Sequence, residues 1–106
     1  MFQSDWENRL VKLVDQYPDL SSGAVAATRG LLARRGASAR QPDEMARGYW
    51  PTICLVWSSS LLGQVEIEVS ATEYEYYGPN GEVDIRHFPH EGGAVVPDDL
   101  LALIPN

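Results

Sequence analysis

Residues able to do chemistry are few in this chain, and they gather in its second half. His87, His90 and Glu91 form the one site-like group. Two imidazoles at i and i+3 across Phe88-Pro89 can touch one metal ion. A closed site takes three or four ligands, however, and the chain has no third His. Histidines at the surface or partly packed are the simpler account, so no metal is expected. The single Cys54 lies between Ile53 and Leu55. A nucleophilic thiol needs exposure and a basic neighbour, whereas these flanks read as core. Ser58-Ser59-Ser60 lacks the glycines of a nucleophile elbow. Gly92-Gly93 lacks the preceding strand, the spacing and the Lys of a phosphate loop. No catalytic residue and no cofactor are expected.

Carboxylates are the remaining candidates. Pairs of them act as acid and base when a cleft pushes their pKa values apart. In Val65-Glu66-Ile67-Glu68-Val69 and Glu73-Tyr74-Glu75-Tyr76-Tyr77 they instead alternate with apolar residues. Period two marks strands with one buried and one wet face. Gly78-Pro79-Asn80-Gly81 supplies turn chemistry before Val83-Asp84-Ile85-Arg86-His87-Phe88. The alternation predicts that Val65, Ile67, Val69, Tyr74, Tyr76, Val83 and Ile85 share the core face. Glu66, Glu68, Glu73, Glu75 and Asp84 then share the other. A solvated sheet face is the plain explanation. The sharper one is a surface for a partner, with Tyr77 among the acids as an anchor.

Charge distribution supports the sharper reading. The 106 residues carry net charge −7. Residues 1–50 hold seven Lys/Arg and six Asp/Glu, whereas residues 51–106 hold one Arg and nine Asp/Glu. Asymmetry of this kind points to a partner-facing surface or an acidic tail, and the position of the acids on predicted strands favours a folded surface. Arg29, Arg34, Arg35 and Arg40 cluster near the end of a predicted helix, where cations suit the macrodipole. A nucleic-acid patch is the alternative, and the overall acidity opposes it. Direct nucleic-acid binding is not expected.

These residues need a scaffold. The length suits one domain, 1–106, with a modest core. Ser4-Asp5-Trp6-Glu7 is a capping box opening a helix over about residues 5–17, stopped by Pro18. Trp6, Leu10, Leu13, Val14 and Tyr17 are its apolar stripe. Ser21 or Ser22 caps a second helix ending near Arg35 at Gly36. Val25, Thr28, Leu31 and Leu32 make its stripe. Residues 36–51 read as a connector with a helical turn at Asp43–Arg47. Thr52-Ile53-Cys54-Leu55-Val56-Trp57 reads as a central strand covered on both sides. Ser58 to Gly63 turn the chain, Leu61 and Leu62 sitting awkwardly there. Pro97-Asp98-Asp99 opens a short helix with Leu100, Leu101, Leu103 and Ile104, closed by Pro105. Trp6, Trp50, Trp57, Tyr74 and Tyr76 are the expected aromatic core, with Tyr49 and Phe88 undetermined. The fold class is α+β: two N-terminal helices and a short C-terminal helix on one face of an antiparallel meander of about four strands. Neither a signal peptide nor a membrane helix is expected, which suggests a cytoplasmic protein.

The strand ending in Trp57, the acidic strand Val65–Val69 and the Gly81–Phe88 arm resemble small acidic bacterial and phage proteins of unassigned activity. In size and charge the chain is also similar to anti-CRISPR proteins. The resemblance itself implies no activity; the acidic sheet face leads to the expectation of a non-enzymatic interaction or inhibitor protein that docks on a basic surface, such as one that normally holds nucleic acid. Glu66, Glu68, Glu73, Glu75, Tyr77 and Asp84 would be the partner-binding residues. Two alternatives stand beside it. One is a ligand-binding domain or enzyme with a pocket near His87, His90 and Glu91. The other is an antitoxin or immunity protein.

Overall fold

The computed structural model describes residues 5–36, 39–48, 50–59, 63–79, 84–91 and 95–105, without the side chains of Asp5 and Ser59. Two helices come first, α1 (Asp5–Gln16) and α2 (Ser22–Arg35). Five strands follow: β1 (Glu44–Arg47), β2 (Ile53–Ser59), β3 (Gly63–Val69), β4 (Glu73–Tyr77) and β5 (Ile85–Pro89). A short helix, α3 (Asp98–Leu103), closes the described chain. The strands pair in sequence order as an antiparallel meander, so the expected α+β class holds with one more strand than anticipated.

The extra strand is β1. Asp43–Arg47 does not form a helical turn; Glu44–Arg47 pairs with Val56–Ile53 instead. Glu-Met-Ala-Arg has ordinary helix propensity, but four residues are too few to nucleate a helix that nothing else supports. Pairing with an established strand wins. The residues proposed for the first capping box include Ser4, which lies outside the described residues, as do Leu61, Leu62 and Val83.

One apolar cluster ties the helices to one sheet face. Trp6, Leu10 and Leu13 of α1 and Ala27, Leu31 and Leu32 of α2 meet Ile53, Leu55, Trp57, Val65, Ile67, Val69, Tyr74 and Tyr76. Val96, Leu100 and Ile104 complete it from the C-terminal side. Ser21 caps α2, its Oγ accepting from the Ala24 amide at 3.1 Å. The helix start also presses against the β3–β4 turn. A Cβ on Gly23 would lie 2.8 Å from the Ala71 carbonyl oxygen, so only glycine fits there without a shift. Tyr74 donates from its buried hydroxyl to the Ala27 carbonyl at 3.1 Å, fixing the sheet beneath α2.

The arginine cluster at the end of α2 has structural employment. Arg35 donates to the carbonyls of Arg40 and Pro105, and its guanidinium lies 5.2 Å from the Trp57 ring centroid. Arg40 pairs with Asp43 at 3.0 Å and donates to the Ser58 carbonyl. These contacts clamp the connector and the C-terminal segment to the core. Among the described residues, no helix is long and apolar enough to cross a membrane.

Candidate functional site

Helices cover one face of the sheet, and the register assigns the residues of the other. Directly paired residues in a ladder share a face. One outward row runs Glu44, Val56, Glu66, Tyr77, Ile85. The next runs Ala46, Cys54, Glu68, Glu75, His87. A third pairs Glu73 with Pro89. Glu66, Glu68, Glu73 and Glu75 are therefore brought together as the alternation predicts. Glu44 joins them, which the sequence reading missed because it assigned no strand there. Among the described residues, no Lys or Arg occupies an outward ladder position.

Five expectations about this region need correction. Ile85 does not face the core: it pairs with Tyr77 on the acidic side and is exposed. The helix-side position goes to Arg86, opposite Tyr76. Asp84 accordingly leaves the acidic face. It precedes the ladder, and its charge acts on the phenol of the core residue Tyr76. Cys54 is not a core residue but a half-buried one on the acidic face. Trp50 is not in the core either, being 68 % exposed at the β1–β2 turn. The run Ile53–Trp57 is likewise not sandwiched between two layers. Val56 is 6 % exposed on the outward side, yet it lies outside the core cluster, flanked on the ladder by Glu44 and Glu66.

The acids are less solvated than free carboxylates. Glu66, Glu68, Glu73 and Glu75 are all half-buried. Burial, then the negative charges of Glu68 and Glu44, raise the Glu66 pKa above the usual carboxylate value. Tyr77 is half-buried among the acids. Burial raises its phenol most; a hydrogen bond to Glu75 and the charges of Glu75, Glu68 and Glu66 add to it. Burial, with Glu68 and Glu66 nearby, pushes the Cys54 thiol up to about 12. A thiol that stays protonated at neutral pH is a poor nucleophile.

Two details hold the acids in place. Thr52 donates from Oγ1 to Glu68 Oε2 at 2.6 Å. Gly48 makes room for this contact, since a Cβ there would collide with the Thr52 hydroxyl. His87 Nδ1 lies 3.2 Å from Glu73 Oε1 on the same face. Glu73, Glu75 and His87 present donor atoms that all lie within 4.8 Å of one another.

The histidines separate. His87 stands on the acidic face, whereas His90 is buried on the helix side. His90 Nε2 contacts the Ser70 carbonyl at 2.8 Å, and its ring centroid is 4.9 Å from that of Tyr74. A surface hollow of about 430 Å³ is lined by Pro89, His90, Glu91, Val95 and Pro97. His87 takes no part in it. The three residues singled out by spacing thus do not converge on one site.

No protein-family model, curated protein or solved structure matches this chain.

Proposed function

We propose that this chain is a non-enzymatic interaction protein of inhibitor type, acting in the cytoplasm, whose outward sheet face docks on a basic protein surface. A surface that otherwise holds nucleic acid has the required charge. One observation carries this reading: Glu44, Glu66, Glu68, Glu73 and Glu75 occupy neighbouring outward positions, with no outward Lys or Arg among the described residues. Carboxylates that are half-buried and mutually repelling gain when a partner's cations arrive, because each new charge removes a repulsion and adds an attraction. Complementary charge of this density speeds encounter and rejects acidic or neutral partners.

Apolar groups stand beside the acids. Tyr77 and Ile85 lie next to Glu66 and Glu75 on one side, and exposed Trp50 lies beyond Thr52 and Glu68 on the other. Aromatic anchors next to a charged patch are the usual composition of an energetic hot spot. The stems of Arg or Lys side chains can lie on these groups while their heads reach the carboxylates.

The test is recovery of a partner from native host extract on immobilised protein. Wild type is compared with a variant carrying Glu66→Gln, Glu68→Gln, Glu73→Gln and Glu75→Gln. A basic protein retained by wild type and lost by the variant, with both folded by circular dichroism, is the expected result. Equal recovery on both would remove the acidic face from the interface.

A further inference from the structure

We infer that Glu73, Glu75 and His87 form a three-ligand site for a divalent first-row cation, Zn²⁺ being the best fit, on the outward face of β4 and β5. The inference stands on this donor set and does not depend on the docking reading.

The donor atoms lie within 4.8 Å of one another. Ligands on one tetrahedral zinc ion sit about 2.0–2.2 Å from it and therefore roughly 3.3–3.6 Å apart, so the donors must close by about 1 Å. Small side-chain rotations close the difference. The backbone needs no change, because the donors come from two strands in fixed register. Glu75 pairs directly with His87, and Glu73 is two residues along the same face. A carboxylate–imidazole contact between Glu73 and His87 accounts for those two residues as an ion pair. It does not account for Glu75, directed to the same point against the repulsion of Glu73.

The chemistry of the set is specific. One imidazole and two carboxylates suit Zn²⁺ better than Ca²⁺ or Mg²⁺, which favour all-oxygen shells. The surroundings supply what a metal site needs beyond its ligands. Glu68 pairs directly with Glu75 from the neighbouring strand and adds negative potential. Three protein ligands leave a fourth position open to water or to another molecule's donor.

Isothermal titration of ZnCl₂ into the EDTA-treated, tag-free chain, in a buffer that does not coordinate metal, tests the site. A single saturable event with one ion per chain is expected. Losing an outer-shell partner alone costs about 10–100-fold in metal affinity, so His87→Gln and Glu75→Gln should each weaken binding by at least that much. Glu91→Gln, an exposed acid off this face, should leave affinity unchanged. Melting curves establish that each variant is folded. Absence of saturable heat would overturn the inference. So would binding that survives His87→Gln, or binding abolished by Cys54→Ser in place of the three named ligands.

Discussion

Replacing Glu66 by Gln should make the isolated protein more stable, although it deletes a charged surface group. Glu66 lies between Val56 and Tyr77 on the outward face, with Glu68 two residues along its own strand and Glu44 across Val56. Burial opposes its ionisation first, and the two neighbouring carboxylates oppose it further. Gln keeps the shape and removes the charge. Like-charged neighbours on a sheet face cost roughly 0.2–1 kcal/mol, so the gain should be of that order. For a domain of this size that is a rise of about 1–6 °C in melting temperature. The pH dependence follows from the direction of the shift. With the folded pKa raised, protonated Glu66 favours the fold, and that advantage is lost as pH rises through the folded value. Wild type and Glu66→Gln should therefore converge near pH 4 and below, and separate as pH rises above the ordinary Glu value of about 4.3. In 1 M NaCl, where the Debye length is about 3 Å, much of the neighbour repulsion should vanish and the gap should narrow. Differential scanning calorimetry at pH 3.5, 5 and 7.5, repeated at pH 7.5 in 1 M NaCl, reads all three effects. A variant less stable than wild type at pH 7.5 would refute the argument, because the carboxylate would then be stabilising the fold.

Two further outcomes follow from the same placements. Ile67 is fully buried beneath the helices, so Ile67→Ala should cost about 2–5 kcal/mol by urea denaturation; a loss below about half a kcal/mol would reverse the assigned strand phase. The Cys54 thiol, held protonated by burial and by Glu68 and Glu66, should react with a disulfide reagent at pH 8 at least about 100-fold more slowly in the folded protein than in urea. Comparable rates in the two states would contradict its half-buried, acid-flanked position.

The parts legible in the sequence were those set by short-range periodicity. Alternation through Val65–Val69 and Glu73–Tyr77 gave the correct faces for both strands, because a one-residue error would turn every glutamate into the core. The Ser21 cap and Pro18 stop marked the helices for equally local reasons. What failed was set by pairing at a distance. Glu44–Arg47 is a strand because β2 offers it a backbone ladder, and its own residues say nothing of that. The phase of β5 depends on how the preceding turn enters the ladder, and starting the pairing at Ile85 reverses the expected alternation. Trp50 was assigned to the core on hydrophobicity alone, which does not require burial of a residue in a turn. The Glu73–Glu75–His87 cluster joins residues of two strands, so only the register brings the third donor to the first two.

The central claim is that the acidic face meets a basic partner, and association kinetics test it most directly. Surface plasmon resonance would follow a purified partner binding wild type, the Glu66/Glu68/Glu73/Glu75 Gln set, and a control set. Asp19 does not serve as a control, since it pairs with Arg47 at 2.5 Å and ties α1's exit to β1. Asp15, Glu91 and Asp99 are exposed and lie off the outward ladder rows, so their neutralisation makes the comparison. The account predicts that the association rate for wild type falls as salt rises, because screening shortens the reach of the face to about 8 Å at physiological ionic strength. It predicts a much larger fall for the Gln set than for the control set at low salt. An association rate indifferent to salt, or equal losses in the two sets, would contradict it.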